Sequence, residues 1–527
     1  MKLSLTTIIG FVREKLIYFS VVWLFIILGL YFYFIDKSFY FADEAFYLLS
    51  LDPDIYKIEA SQWGNLYSFL YFDNLIIDKV IFTAIQLLSV TFFSITATRL
   101  FFNKKRYYWS IAIATIASMY LLVGPNAMSV PYYITLGTVV SLIATSFLFL
   151  FFNYRYRFSL YLSGFFIGVL PFLMITTVPT FLLFLALLWF YDKKLKSLLF
   201  FSSGIASFFI FYFLVIQSPS DFLFKFKEVY LFMQADNSHG ILGILVWCAK
   251  IFVDKIALGL FFLVYYYTNK KYNFKKWLTV LTCIFFIIWM CIILVDFIFL
   301  SSFLSNTRVF YFLAFALLIE GRHSIEFKKN ILIIFLLILP FFALLGTNLP
   351  FFIRTKLYFP FIFIALVFLI KFVRNKIVII SFSLSIIVCS IMYISSPFRF
   401  NREGFKGIEQ NQKFTSLKGT IYLDKERLKM LEEVKPYIEN KNNVIVSHPL
   451  LHGLVYLLNG KPPFLFFTPY KATETFLIEN EYDYKSYILI DYKKFPFHNK
   501  FLDNVTKETI HNFNKIETEN FIIYTNK

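Results

Sequence analysis

Long apolar segments joined by short polar connections make up the first three quarters of this sequence. A helix needs about 20 predominantly apolar residues to cross the hydrocarbon core of a bilayer. This criterion predicts thirteen membrane-spanning helices, and only Thr176-Thr177-Val178-Pro179 divides the fifth from the sixth. The predicted ranges are 16–35, 80–100, 108–124, 133–152, 158–174, 176–191, 197–217, 249–268, 277–301, 307–321, 330–346, 355–371 and 377–395.

The pattern changes at residue 397, where charged residues become frequent and apolar positions fall into short runs. There Asp424 is suited to cap a helix that continues through Asn440. Strands and helices then alternate, which predicts a small α/β domain over 397–527, after a transmembrane domain over 1–396. The predicted strands are 443–448, 463–467, 486–491 and 520–525, and the further helices run from Leu451 to near Gly460, over 471–479 and over 503–512.

Composition supports a membrane protein. Hydrophobic residues make up 59% of the chain, charged residues only 16%, and the mean hydropathy is +0.67. An ordinary soluble domain has about 25% charged residues. These values exclude a disordered chain, a collagen and an ordinary soluble enzyme. A disulfide framework or a thiolate metal site is not expected, because all the cysteines lie in apolar segments: Cys248, Cys283, Cys291 and Cys389.

The charge distribution predicts an orientation. Basic residues gather in alternate loops, as at Lys104-Lys105-Arg106, Lys193-Lys194 and Lys270-Lys271. Loops rich in Lys and Arg face the cytoplasm, so the N-terminus of this multi-pass membrane protein is predicted inside and the region 397–527 outside. The net charge of +18 then reflects orientation. Nucleic acid is not an expected partner, because the basic residues form no contiguous groove.

An adjacent acid pair lies in the first predicted outer loop, 36–78. Asp43 and Glu44 stand in FADEAFYLL, about eight residues after the first predicted span. Two neighbouring acids at a membrane surface are costly unless they are hydrated or paired. Two interpretations stay open at this point. The pair is either the solvated start of a helix, or it supplies a general base or a cation ligand at the interface.

The larger arrangement resembles a known superfamily. The first loop carries Asp-Glu and then the aromatic-rich QWGNLYSFLYFDN, and a dozen further spans lead to an outward C-terminal region. Local matches are DEAFYLL, VPYYITL, GTNLP, and LKGTIYLDKERLKMLEEV followed by VIVSHPLLHGLVYLLNGKPP. The chain resembles the GT-C glycosyltransferases: the protein O-mannosyltransferases, the aminoarabinose transferases that modify lipid A, and the family named after lipopolysaccharide-core galacturonosyl transferases.

The resemblance implies a polytopic α-helical fold in the bacterial inner membrane, and an activity. Such enzymes transfer a sugar from a polyprenyl-phosphate carrier to a lipid, glycan or protein acceptor on the outer face, usually with inversion. Asp43 matches their catalytic first-loop acid, and Glu44 matches its neighbour. The second outer loop, VGPNAMSVPYY, lacks the acidic pair of metal-dependent oligosaccharyltransferases, which argues against a metal. A divalent cation held by Asp43, Glu44 and another loop stays open.

Cations at the predicted outer surface are scarce, and each is a candidate ligand for a phosphate. Arg308, Arg354 and Lys356 lie at the outer ends of predicted spans, at the depth of a polyprenyl-phosphate headgroup. The alternative is that they only reach for the headgroups of membrane lipids. His239, in the second long outer loop, is a candidate contact to the sugar or the phosphate, or an ordinary surface residue.

Histidines and aromatic residues of the outer segments suggest weaker candidates. His448 and His452 are four residues apart but have no third ligand nearby in the sequence, so zinc is not expected. Trp63, Tyr67, Tyr132 and Tyr133 are candidates either to stack on sugars or to form an aromatic belt at the interface.

Two other classes of function stay open. A transporter or flippase of a lipid-linked saccharide is the first, although such proteins usually have internal repeats and broken helices, which this sequence does not display. A membrane assembly scaffold is the second, and only the acid pair and the resemblance speak against it. The sequence therefore favours a glycosyltransferase.

Overall fold

The computed structural model of this protein is mostly helical and has a small sheet region near the C-terminus. The predicted spans 249–268, 277–301 and 377–395 lie outside the residues it describes, as do nearly all of 108–124 and 307–321. The described residues are 5–37, 39, 41, 43–57, 62–102, 110, 114, 130–174, 177–235, 314, 317–318, 325–343, 355–370, 411–446, 451–465, 488–494 and 513–526.

Helices occupy all the other predicted spans, in the expected order. Three of them are long and apolar enough to cross a membrane: Leu75–Phe102, Tyr133–Tyr154 and Leu195–Ile216, the last ending in a π-helical turn. The N-terminal elements are α1 Leu5–Phe34, α2 Asp43–Leu49, β1 Tyr56–Lys57, α3 Trp63–Tyr67, α4 Leu75–Phe102, α5 Tyr133–Tyr154, α6 Arg157–Leu173, α7 Pro179–Asp192, α8 Leu195–Phe211, α9 Pro219–Ala235, α10 Phe327–Ala343 and α11 Phe359–Ile370.

The apolar run over 158–191 divides where the sequence predicts. α6 ends at Leu173, and Pro179 is the first residue of α7. Proline suits this position because the first helical residue donates no intrahelical hydrogen bond. Thr177 Oγ1 donates to the Met174 carbonyl at 2.8 Å and closes the turn between the helices. The expected division into two helices is confirmed.

Close helix packing depends on two glycines. A Cβ added to Gly164 of α6 would lie 2.0 Å from the Phe201 carbonyl oxygen, and one added to Gly204 of α8 would lie 2.1 Å from the Tyr161 carbonyl oxygen. No side chain fits at either point. Small residues allow such backbone approach between membrane helices, where dispersion forces and hydrogen bonds replace the hydrophobic effect.

Loops predicted to be cytoplasmic meet at one end of the helical bundle. Arg99, near the end of α4, donates to the Tyr154 hydroxyl at 2.8 Å, and Arg155 forms an ion pair with Asp192. The start of α4, at Leu75, lies at the other end. There its amide donates to the carbonyl of residue 418, in the C-terminal region, at 2.9 Å.

The C-terminal region has the predicted mixture of helices and strands. The elements are β2 Gln412–Ser416, β3 Gly419–Leu423, α12 Lys425–Ile438, β4 Val444–Val446, α13 His452–Leu457, β5 Phe464–Leu465, β6 Ile488–Tyr492, β7 Phe513–Glu517 and β8 Phe521–Asn526. The four-stranded sheet has the order β4–β6–β8–β7, with β4 parallel to β6 and the other neighbours antiparallel. Asp424 caps α12 as expected, since its Oδ1 accepts the Arg427 amide at 2.8 Å.

Two features of this region were not predicted. The antiparallel hairpin β2–β3 and the edge strand β7 both contain alternating polar residues that obscured the strand pattern. The predicted helices 471–479 and 503–512 lie outside the described residues. The predicted boundary between the domains, at 396–397, also lies outside them.

Backbone hydrogen bonds join the C-terminal region to the segment between α1 and α4. β1 pairs in parallel with β5, with Tyr56 opposite Phe464. The Tyr422 amide donates to the Asp36 carbonyl at 2.8 Å. The first loop and the C-terminal region therefore lie on the same side of the helical bundle.

Candidate functional site

The acid pair begins the short helix α2. Acidic side chains are favourable in the first turn of a helix, because the N-terminal amides carry a partial positive charge. Asp43 is partly exposed, whereas Glu44 is buried with 4% of its surface accessible. The remaining residues of α2, from Ala45 to Leu49, are buried and hold the helix against its neighbours. The two acids therefore occupy different environments.

Glu44 forms an ion pair with Lys79. Its Oε2 lies 3.6 Å from Lys79 Nζ, and the lysine side chain is fully buried. Lys79 Nζ also donates to the Ile35 carbonyl at 3.1 Å, and the Lys79 carbonyl accepts from the Tyr31 hydroxyl at 3.2 Å. One lysine thus connects the end of α1, the start of α2 and the first turn of α4. A buried carboxylate needs such a partner.

Sequence reasoning missed Lys79. The residue stands directly before the predicted span 80–100, at the end predicted to face outward, so its position gave a usable signal. A cation there belongs with Arg308, Arg354 and Lys356 as a candidate. The sequence did not reveal that Lys79 pairs with Glu44, because the two residues are 35 positions apart.

Aromatic rings fix the orientation of α2. The ring of Tyr47, one turn after Asp43, stacks on Tyr132 with centroids 5.1 Å apart and meets the edge of Trp63 at 5.5 Å. Tyr133 lies on the third side, 6.3 Å away. Trp63 and Tyr132 are buried, so they pack on α2 and face neither solvent nor lipid.

The C-terminal helix α13 covers the segment just before Asp43. The Gly453 amide donates to the Phe41 carbonyl at 2.7 Å, and a Cβ on this glycine would lie 2.4 Å from Phe41 Cγ. The His452 ring meets the edge of Phe46 at 5.6 Å. The Arg427 guanidinium lies over the Phe41 ring, 5.4 Å from its centre. At position 453, only glycine, which has no side chain, fits against Phe41.

An ion pair at the surface also links the first loop to the C-terminal region. Lys461 Nζ lies 2.8 Å from Asp54 Oδ2 and 3.5 Å from Asp52 Oδ2. The hydrogen bond from Lys461 and its charge lower the pKa of Asp54, and the same hydrogen bond raises the pKa of Lys461. These groups lie at the surface, so their contribution to the free energy of unfolding is small.

A second buried acid, Asp78, lies beside Lys79 at the start of α4. Its Oδ1 accepts the Phe72 amide at 2.9 Å. Its Oδ2, like the buried hydroxyl of Tyr67, has no hydrogen-bond partner within the described part of the chain. Burial and the nearby Asp78 charge raise the pKa of Tyr67. The junction between the first loop and the C-terminal region is therefore polar as well as buried, which the sequence did not reveal.

The remaining predicted ligands are only partly located. Lys356 lies in the 3₁₀ turn Thr355–Tyr358 that precedes α11. The Tyr358 hydroxyl would be 3.3 Å from a Cβ on Gly137, one turn after Tyr133 of α5, so this turn is at the same end of the bundle as α2. Candidates outside the described residues are His239, Arg308, Arg354 and His448.

This arrangement holds the Asp43 carboxylate partly exposed, beside the ion pair of Glu44 with Lys79. Among the described residues, no group of three His, Cys, Asp or Glu side chains is placed to hold a metal ion. A comparison with models of known protein families and with curated proteins finds no match for this sequence. The functional assignment therefore depends on the geometry and on the sequence pattern.

Proposed function

We propose that this protein is a membrane glycosyltransferase. It moves a sugar from a polyprenyl-phosphate carrier to a hydroxyl of an envelope acceptor, and Asp43 is the general base. The observation that carries the proposal is the different environment of the two acids in α2. Asp43 has accessible surface at the start of the helix, while Glu44 is buried against Lys79 and holds the helix in place. The resemblance to GT-C enzymes, through DEAFYLL above all, supports the same assignment.

The proposed reaction is a single displacement with inversion. Asp43 accepts the proton of the acceptor hydroxyl as the acceptor oxygen attacks the anomeric carbon from the face opposite the phosphate. The bond between that carbon and the phosphate oxygen breaks, and the lipid phosphate leaves with the electron pair. Because this phosphate is already a stable anion, it needs positive charge more than a proton donor. Arg308, Arg354 and Lys356 are the proposed sources of that charge, and His239 is a proposed contact to the donor.

A divalent cation at Asp43 and Glu44 is not part of this proposal. Glu44 already has Lys79 as a counter-charge at 3.6 Å, and a cation at the same carboxylate would compete with the buried lysine. Bringing a second positive charge beside a buried ammonium group is unfavourable in a low dielectric.

The proposed orientation places α2 and the C-terminal region outside an inner membrane crossed thirteen times. Its support is the segregation of charge: Arg99 and Arg155 lie at one end of the bundle, and α2 lies at the other. Cytoplasmic loops are enriched in Lys and Arg. Lipid A or lipopolysaccharide, a polysaccharide and a protein are all acceptors that suit an outward site.

The decisive experiment combines a deletion strain with site variants. Mass spectrometry of envelope glycolipids and glycans identifies the sugar that the deletion removes. We expect the wild-type gene and Glu432→Gln, a change on the exposed face of α12, to restore that sugar. Asp43→Asn, present at normal abundance, should reduce the transfer rate on the order of a hundredfold, the size of a lost general base. Full restoration by Asp43→Asn would remove Asp43 from the mechanism.

One observation favours a transporter of lipid-linked saccharides as the second candidate. Gln86, Ser94 and Thr145 are buried along α4 and α5, and each has a polar atom without a hydrogen-bond partner in the described part of the chain. Polar groups at mid-membrane are typical of transport pathways. Counterflow of a lipid-linked sugar in proteoliposomes, without covalent transfer, would support this candidate and contradict the first.

A further inference from the structure

Three large apolar side chains are exposed where the C-terminal region meets the start of α4. Leu417, the first residue of the β2–β3 turn, has 72% of its surface accessible, and Phe69 and Phe72 of the first loop have 77% and 54%. Soluble surfaces rarely expose clustered residues of this size without a partner. We call these three residues the apolar tip patch.

The turn that carries Leu417 is fixed to the first residues of α4. The Lys418 carbonyl accepts the Leu75 amide at 2.9 Å, and the Lys418 ammonium forms an ion pair with Asp73. A Cβ on Gly419 would lie 3.7 Å from Asn74 Oδ1, which itself accepts the Ile76 and Ile77 amides. The position of the hairpin relative to α4 is therefore determined by hydrogen bonds.

The attachment of the β2–β3 turn to α4 determines the height of the patch along the α4 axis. α4 is long and apolar enough to cross a membrane, and its exposed apolar face includes Ile77, Val80 and Leu88. With a rise of about 1.5 Å per residue, Leu75 stands about 3 Å above Ile77 along the helix axis. The apolar tip patch thus continues the lipid-facing surface of α4 at the depth where the hydrocarbon core begins.

Charge next to the patch is neutralised. Lys418 is paired with Asp73, whose Oδ1 also accepts the Tyr71 hydroxyl at 2.5 Å. The Lys418 ammonium lies 5.5 Å from the centre of the Tyr456 ring. Apolar and aromatic side chains beside compensated charge are typical of surfaces that enter the headgroup layer of a bilayer.

We infer that the apolar tip patch inserts into the leaflet from which α4 starts, and that it anchors the C-terminal region to the membrane surface beside α2. The occupant of this surface is the lipid bilayer. The argument is the continuity of the patch with the exposed apolar face of α4, and it does not depend on the proposed glycosyl transfer.

Spin-label accessibility in the full-length protein tests this inference. Leu417→Cys and Phe69→Cys are labelled singly, in a background whose native cysteines are replaced by alanine, and studied in vesicles of phosphatidylethanolamine and phosphatidylglycerol. The control is Glu519→Cys, an equally exposed position in the β7–β8 turn. We expect the ratio of oxygen to nickel-complex collisions to be several-fold higher at 417 and 69 than at 519. Equal ratios at the three positions would overturn the inference, including the case in which a protein partner covers the patch.

A measurement that keeps the native cysteines is independent of that background. Leu417→Trp should add fluorescence that lipids brominated on their acyl chains quench, relative to the wild-type protein. Glu519→Trp should add fluorescence that these lipids leave unchanged. Unquenched fluorescence from Leu417→Trp would contradict insertion.

Discussion

Asp43 and Glu44 are neighbours in sequence, but the helix that contains them separates their side chains by about 100° around its axis. Glu44 therefore turns into the protein and meets Lys79, while Asp43 stays partly exposed. The same geometry brings Tyr47 one turn after Asp43, where Tyr132 and Trp63 hold its ring. At this scale, the local helix decides which of the two acids is buried and which is partly exposed.

The buried ion pair makes a prediction about stability. Glu44→Gln or Lys79→Met alone should lower the free energy of unfolding by about 3–5 kcal/mol, because each variant leaves the charge of the other residue buried and uncompensated. The double variant should lose less than the sum of the two. Thermal unfolding in detergent measures the three differences. Single variants as stable as the wild type would show that the pair has little structural role.

Packing between elements depends on positions where a side chain is not tolerated. Gly164 and Gly204 bring the backbones of α6 and α8 into contact, and Gly453 does the same between α13 and the residues before α2. The first contact lies within the helical bundle, and the second joins the bundle to the C-terminal region. Each glycine is thus explained by an approach that a Cβ would prevent.

For the bundle, we expect Gly164→Ala and Gly204→Ala to be destabilising, because the added Cβ would lie about 2 Å from a carbonyl oxygen of the facing helix. Gly29→Ala in α1 is the matched control, because no other element among the described residues comes within 4 Å of its added Cβ. Alanine is favoured over glycine in a helix by about 1 kcal/mol, so the control should be neutral or more stable. Thermal stability in detergent checks the contrast, and equal effects at the three positions would contradict it.

For the C-terminal helix, Gly453→Val should displace α13 from Phe41 and loosen the cover over α2. Hydrogen exchange of the α2 amides should become faster, while exchange in α6 and α8 should not change. Lys435→Ala, on the exposed face of α12, is a control that should leave both unchanged. Unchanged exchange at α2 in Gly453→Val would show that α13 does not hold this helix.

On the scale of the whole molecule, the C-terminal region acts together with the first loop. They share the β1–β5 pairing, the Gly453 contact and the ion pair of Lys461 with Asp54. These contacts come from residues about 400 positions apart, so they hold the two ends of the chain together over α2. A region that looks separate in composition is therefore part of the site.

The ion pair at Lys461 gives a pH dependence. Its lysine lowers the pKa of Asp54 below the ordinary value of 3.8, so the pair contributes stability above that value and loses it as the pH falls through the lowered pKa. The difference in stability between the wild type and Lys461→Met should be small and constant at neutral pH, and should disappear as the pH falls through the lowered pKa of Asp54. Thermal unfolding across this range measures it. A difference that grows on acidification would contradict the assignment.

Much of the fold was predictable because each apolar segment carries its own signal. Spans such as 133–152 need only length and hydropathy, and the cap at Asp424 needs only local residues. The hairpin β2–β3 was missed because its strands are amphipathic and short, and because its partner, the start of α4, is distant in sequence. The motif made Asp43 a candidate, but Lys79 and Asp78 were not singled out, because their roles depend on residues distant in the sequence.

The sequence by itself determined where the long apolar helices of the described residues form and which loops carry the positive charge, because both follow from the composition of contiguous segments. Only the tertiary structure decided that Glu44 is paired, that Trp63 and Tyr132 are buried, and that the C-terminal region closes over α2. The physical reason is that ion pairs and close contacts join residues far apart in the chain, and their free energy depends on distance and burial. Hydropathy is a property of a segment, whereas a site is a property of the contacts between segments.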